Sequence, residues 1–154
     1  TIPAKSTKYS LKYYTLNIAS TSGLHQSYSL TLKGDDKYGG DANLPSYSSE
    51  TRTDAYTLRV PYGATYTITY IADTGYKPGA TKTGTVVENI NITTHSPATA
   101  LPLLTLQKVE NGYWEVNGTN VGSSYSKYYD AGTSLKVECF ANEGYIKPTE
   151  LTMS

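Results

Sequence analysis

The sequence has little of several residue types, and each shortage excludes a class of protein. Its 154 residues include one cysteine, one methionine, one phenylalanine and one tryptophan. The lone Cys139 excludes an intrachain disulfide framework. Thirteen basic and thirteen acidic side chains give zero formal net charge, so no basic excess is present to neutralise nucleic acid phosphates. No apolar run is long enough for a membrane span and no signal peptide is visible. The chain starts at Thr1 rather than at methionine, which suggests that a segment was removed or left out.

The residues that are abundant favour β-structure outside the cell. There are sixteen tyrosines, and threonine and serine are also frequent. Tyrosine and threonine favour strands, and a tyrosine ring covers apolar surface while its hydroxyl stays hydrated. Few charged residues and almost no methionine are also typical of a secreted or cell-surface β-protein. The sequence predicts no cofactor.

One alternating stretch occurs twice, 69 positions apart, at residues 62–76 and 131–145. The matching residues are Gly63 and Gly132, Ala72 and Ala141, Asp73 and Asn142, Gly75 and Gly144, and Tyr76 and Tyr145. A period of two predicts a half-buried strand. Its inward faces would be Tyr66, Ile68, Tyr70 and Ala72 in the first copy, and Leu135, Val137, Cys139 and Ala141 in the second. We expect Cys139 to be a small core residue, and Asp/Asn-x-Gly-Tyr to form a turn with glycine at positive φ.

The repeat predicts an all-β fold of two tandem antiparallel β-sandwich modules with immunoglobulin-like connections. The first module would span residues 1–96 with a long polar insertion at 34–53, and the second 97–154, joined by a linker at 94–102. No segment predicts a helix, which counts against a β-grasp variant. Residues 83–93 alternate and predict a further strand that carries Val86, Ile90 and Ile92 together.

The second module is predicted to lack its last strand, because the equivalent of residues 86–93 would fall beyond Ser154. Such a gap would leave an open sheet edge, and open edges pair with other strands. Either the sequence is shorter than the protein or has a partly ordered tail, or a neighbouring subunit completes the sheet. In the second case residues 1–10 are the candidate donor strand.

Residues 132–145 read Gly-Thr-Ser-Leu-Lys-Val-Glu-Cys-Phe-Ala-Asn-Glu-Gly-Tyr and follow a short hairpin at Val116-Asn117-Gly118-Thr119. This pattern resembles the divergent internalin-type B-repeat modules of bacterial surface proteins, and residues 63–76 match it more loosely. The resemblance implies a secreted or surface-anchored, non-catalytic β-module that acts as a spacer or adhesin. It supplies no functional residues.

Motifs of known catalytic chemistry are absent from the sequence, which contains no Gly-x-Ser-x-Gly, His-Glu-x-x-His, phosphate loop or Cys-x-x-Cys. We expect His25 and His95, in a turn and beside the linker, to be surface residues. Thr1 raises the idea of an N-terminal nucleophile, but no nearby residue supports it. We therefore predict that the protein is not an enzyme.

Two other kinds of site are suggested by short patterns. Asp35, Asp36 and Asp41 lie on a glycine-rich segment, and hard oxygens on such a loop suit Ca²⁺. Their spacing fits no Ca²⁺ loop and Lys37 lies among them, so a solvated turn is the better interpretation. Asn91 and Asn117 fit the N-glycosylation pattern, and in a bacterial protein we expect both to be unmodified.

Aromatic residues are the candidates for a binding surface, because exposed rings bind neighbouring subunits or stack on sugars. Tyr38 and Tyr47 lie in the insertion, and the second module carries Tyr113, Trp114, Tyr125, Tyr128 and Tyr129. Packing, a subunit interface and glycan contact are all open interpretations. We favour an extracellular adhesin or filament subunit that assembles through sheet edges and tyrosine-rich faces. Carbohydrate binding, or a virion decoration or fibre protein, are the alternatives.

Overall fold

A computed structural model of the protein describes residues 8–147, which form an all-β structure without an α-helix. The chain divides into two compact units, with the boundary between Thr99 and Ala100. The first unit contains β1 (Tyr13–Ile18), β2 (Gln26–Lys33), β3 (Tyr56–Pro61), β4 (Thr65–Ala72), β5 (Tyr76–Lys77), β6 (Lys82–Thr85) and β7 (Ile90–Ile92), and the short β8 (Thr99–Ala100) lies at the boundary. The second contains β9 (Leu103–Leu106), β10 (Gly112–Val116), β11 (Thr119–Gly122), β12 (Tyr125–Tyr128) and β13 (Val137–Ala141).

The first unit has two three-stranded sheets that share one core. Their strand orders are β3-β1-β7 and β2-β4-β6. Alternate residues of each sheet point inward, as the period of two in the sequence requires. The core residues are Leu16, Ile18, Val60 and Ile92 from the first sheet, Tyr28, Leu30, Leu32, Ile68 and Tyr70 from the second, and Ala64 and Val86 from connections between strands. Ile68 is fully buried, as expected for the inward face of β4.

One pairing differs from the predicted antiparallel arrangement, because β1 and β7 are parallel, with Leu16 opposite Ile90 and Ile18 opposite Ile92. The prediction of a single strand over residues 83–93 is also wrong. β6 pairs with β4 in one sheet, while β7 belongs to the other. Between them, the backbone of Val86 donates to Ala64 and accepts from Gly63, each at 2.8 Å. The chain then bends and crosses to the other sheet, so alternation continues across two elements.

The insertion contains two short 3-10 helices, Asp36–Tyr38 and Gly40–Asn43, where the sequence predicts none. The carboxylate of Asp35 accepts the amide N–H of Lys37 at 3.0 Å and caps the first helix. The carboxylate of Asp41 accepts the N–H of Gly34 at 2.7 Å. Helices this short have no apolar periodicity that a sequence could reveal. The first is capped by the Asp35 side chain, whereas the second has no side-chain cap.

The second unit buries far less of its apolar surface than the first. β10 is central in the sheet β11-β10-β13, and β9 pairs with β12 in a two-stranded sheet. Among the second-unit residues that the structure describes, Val116 is the only buried hydrophobic side chain. Val137 occupies the repeat position of Ile68 but is 37% exposed. The prediction that Leu135 and Cys139 belong to a core strand is therefore wrong, since Leu135 precedes β13 and Cys139 is half-buried.

Tyr28 makes the stability of the first unit sensitive to high pH. Its side chain is buried, its hydroxyl donates to the Asp54 carbonyl at 2.7 Å, and burial raises its pKa to about 12. Because the folded pKa exceeds the ordinary value of 10, the folded chain holds this proton more strongly than the unfolded chain. The resulting stabilisation is complete below pH 10 and is lost as the pH rises through about 12.

We expect Tyr28→Phe to lower the free energy of unfolding at pH 8 by about 1 kcal/mol, since the Asp54 carbonyl loses its donor. The difference from the parent should shrink between pH 10 and 12, where only the parent loses the stabilisation from Tyr28. Urea unfolding at a series of pH values measures this difference. A difference that stays constant to pH 12 would contradict the assignment.

Candidate functional site

The turns before and after the two repeated strands have matching glycine φ values. Gly75 and Gly144 have φ values of 87° and 89°, and Gly63 and Gly132 have 85° and 82°. The N–H of Tyr76 bonds to Asp73 O, and that of Tyr145 to Asn142 O, both at 3.0 Å. Asp73 and Asn142 donate in turn to His25 and Asn111, each at 2.9 Å. These predicted turn residues therefore act on the backbone, and any difference between the units lies in their side chains.

The side chains beyond the turn do differ. The ring of Tyr76 stacks on that of His25, with centroids 4.3 Å apart, whereas Tyr145 and Ile146 are exposed. They border an open cavity of about 340 Å³. Its other apolar lining comes from Val109, Cys139, Phe140 and Ala141. Cys139 is thus a free, half-buried thiol at a cavity wall.

The predicted aromatic residues of the second unit do not form one continuous face. Tyr113 and Trp114 are adjacent on β10 and so point to opposite faces of the sheet. The Tyr113 ring stacks on Phe140 with centroids 5.6 Å apart, and the Trp114 indole N–H donates to the Gln107 carbonyl at 2.8 Å. All three side chains are half-buried. Their contacts within the unit account for much of their surface.

β12 and the segment after it hold the remaining three tyrosines. The Tyr125 and Tyr129 hydroxyls lie 2.9 Å apart in a hydrogen bond, and the Lys127 ammonium lies 5.2 Å from the Tyr129 ring centroid. Tyr128 faces the other way, opposite Leu103 across the β9–β12 ladder. These two side chains, 41% and 49% exposed, form an apolar pair at the surface. We call Leu103 and Tyr128 the surface pair.

Tyr38 and Tyr47 hold the insertion in place within the first unit. Tyr38 packs edge-on against Tyr62 at 5.4 Å, and its carbonyl accepts a hydrogen bond from the Asn43 side chain. The Tyr47 hydroxyl accepts the N–H of Leu32 at 3.0 Å. Both side chains are half-buried, so these residues join the loop to neighbouring strands.

His95 is buried, so the prediction of a surface residue is wrong. Its Nε2 lies 2.7 Å from the Ala19 carbonyl, which can only accept. The proton is therefore on Nε2, and Nδ1 accepts from the Tyr70 hydroxyl at 2.5 Å. The ring also stacks on Tyr28 at 5.8 Å. His95 ties the segment after β7 to the end of β1, whereas His25 is exposed.

In the acidic cluster, the side chains of Asp35 and Asp41 accept hydrogen bonds from backbone N–H groups. Within residues 8–147, no group of three or more His, Cys, Asp or Glu side chains is placed to hold a metal ion. Asn117, at φ 52°, lies at the tip of the β10–β11 hairpin. Its side-chain oxygen accepts the N–H of Lys136 at 2.9 Å, and its own N–H donates to Lys136 O at 2.8 Å. Asn91 is exposed on β7.

The backbone N–H and C=O groups of successive β13 residues point to opposite edges of the strand. Lys136 bonds to Asn117 through both its N–H and C=O, and Asn142 bonds to Asn111. Even-numbered residues therefore point their backbone groups toward β10, and Val137 and Cys139 point theirs to the outer edge. In the first unit, β6 pairs with the equivalent edge of β4, where Thr65 lies opposite Thr85 and Ile68 lies opposite Lys82. In the part of the chain that the structure describes, β13 pairs with β10 alone.

Three charges lie on the outward face of the same sheet. Glu115 and Glu138 are directly opposite across the β10–β13 ladder, and like charges in that position are destabilising. The Lys136 ammonium lies 2.8 Å from the Glu138 carboxylate. Their hydrogen bond raises the pKa of Lys136. One cation therefore compensates two neighbouring carboxylates.

Comparisons with protein-family models, with curated proteins and with solved structures each find no match. No helix within residues 8–147 is long and apolar enough to cross a membrane.

Proposed function

We propose that the protein is a non-catalytic extracellular structural or adhesion protein, a surface adhesin or filament subunit that assembles with neighbouring protein subunits. In this proposal each unit is an immunoglobulin-like sandwich. Assembly uses the sheet edges and aromatic surface of the second unit. The resemblance of residues 132–145 to internalin-type B-repeat modules agrees with a cell-surface location.

The observation that carries the proposal is the unequal burial of the two units. The first has a continuous core that draws on both sheets. The second has one buried hydrophobic side chain among its described residues, Val116, and leaves Leu103, Tyr128 and Val137 more than a third exposed. The first unit also exposes apolar side chains, Ile71 and Val87 among them, so the difference between the units lies in their cores. Apolar surface of this kind is typical of protein interfaces, which are enriched in aromatic residues. The second unit therefore has more to gain from a protein partner than the first.

Removal of the surface pair should weaken this assembly. We expect Leu103→Ser with Tyr128→Ser to raise the dissociation constant for self-association about tenfold, because both side chains lose apolar contact. Sedimentation equilibrium on the full chain measures the constant. Val87→Ser is the matched control, since Val87 is 49% exposed, as Leu103 is, but lies in the first unit.

A parent chain that stays monomeric up to about 1 mM would contradict assembly of identical subunits. Retention of that monomer on an immobilised polysaccharide would favour the carbohydrate-binding alternative. Loss of retention in the Tyr128 variant would then place the sugar on the second unit.

A further inference from the structure

We propose that the outer edge of β13 pairs antiparallel with the same edge of a second copy of this chain, with the two-fold axis at Val137. This inference rests on the proposed function and names its partner and its register. A two-fold contact is self-complementary, so each residue of the edge must suit its counterpart. Backbone, charge and apolar side chains all satisfy that condition in this register.

The backbone supplies the first argument. Val137 and Cys139 direct their N–H and C=O groups away from β10, as the bonds of Lys136 and Asn142 show. With the axis at Val137, the two Val137 residues exchange both hydrogen bonds, which is one of the two pair types of an antiparallel ladder. The repeat supplies independent support, because β6 occupies the corresponding edge of β4.

Charge selects the register. With the axis at Val137, Lys136 lies opposite Glu138 of the second copy, and Glu138 opposite the second copy's Lys136. An axis at Cys139 would place Lys136 opposite Asn142, and an axis at Leu135 would place it opposite Ser134. Only the axis at Val137 forms two cross-strand ion pairs, and it gives Glu138 a second cation that offsets its repulsion from Glu115.

The other face of the paired strands is apolar. The same register places Val137 opposite Val137 and Leu135 opposite Cys139 of the second copy. Val137 is 37% exposed in the single chain, and Leu135 and Cys139 are half-buried. Pairing would remove part of each side chain from water, and these are the inward positions of the repeat that the second unit leaves uncovered.

The test uses charge reversal in the full chain. Lys136→Glu and Glu138→Lys each place like charges opposite one another twice in a symmetric dimer, so each should raise the dimer dissociation constant about tenfold. A mixture of the two variants should form a heterodimer at least as tight as the parent dimer, because both opposed pairs then carry opposite charges. The swap of both residues in one chain should restore the parent value.

Lys108→Glu and Glu110→Lys are the matched controls, since Lys108 and Glu110 form an exposed ion pair of the same sequence spacing in the β9–β10 connection rather than on the outer edge of β13. Sedimentation equilibrium measures each constant, and thermal unfolding at low concentration checks that every variant folds. If the parent associates but both reversals leave its dissociation constant unchanged, or the mixture fails to associate, the register is wrong and the proposed function stands. If the parent does not associate, both are overturned.

Discussion

Ile68→Ala is expected to lower the free energy of unfolding of the first unit by about 2–5 kcal/mol. Ile68 lies on β4 with no exposed surface, between residues of both sheets. Truncation removes buried methyl and methylene groups and leaves a cavity that the two rigid sheets can close only in part. Urea unfolding monitored by circular dichroism gives the change.

The repeat provides the control for this prediction. Val137 occupies the same position in the second copy but is 37% exposed, so Val137→Ala should change stability by no more than about 0.5 kcal/mol. The measurement belongs at concentrations below those of self-association. Equal losses at the two positions would show that the second unit buries Val137 as deeply as the first buries Ile68.

Gly79→Ala is expected to destabilise the first unit by about 2–3 kcal/mol or more. A Cβ at this position would collide with the carbonyl oxygen of Ser96. The collision involves backbone on both sides, so a side-chain rotation cannot relieve it. Buried Gln26 joins the same two segments, since it accepts from the N–H of Gly79 at 2.8 Å and donates to Ser96 O at 2.6 Å. Any movement that relieves the collision therefore strains these bonds.

Gly23→Ala separates this steric effect from the general effect of replacing glycine. Gly23 has φ 80° and open space where a Cβ would lie, so alanine should cost only the left-handed backbone penalty of about 1–2 kcal/mol. Thermal unfolding of both variants ranks them directly. A Gly23 variant that is the less stable of the two would contradict the close approach of Gly79 to Ser96.

The all-β class and the repeat could be predicted because both depend on local periodicity. Alternation from Tyr66 to Ala72 identifies β4, and Gly75 and Gly144 mark turns that need positive φ. The burial of Ile68 and Tyr70 follows from the same pattern. Whether the equivalent residues of the second copy are buried was not predictable, because that depends on which elements cover β13.

Other features depended on contacts between residues distant in sequence. The burial of His95 requires the Ala19 carbonyl and the Tyr70 hydroxyl to meet the two ring nitrogens, and no local pattern around residue 95 indicates either partner. The bend after Val86 moves the chain between sheets without breaking the alternation. The significance of the charges at Lys136 and Glu138 depends on which edge of β13 pairs with β10, and the sequence does not indicate that pairing.

The parallel ladder between β1 and β7 determines how the first unit would bear a mechanical load. The chain enters β1 at Tyr13 and leaves β7 at Ile92, so tension applied along the chain pulls these strands past each other lengthwise. Their ladder, the Ala19 N–H bond to Ile92 O and the His95 bond to Ala19 O lie between the pulled ends. Under such shear the bonds must break together, whereas a hairpin pulled from its open end loses them one at a time. A unit built in this way would keep its length under tension until the bonds of the ladder break together.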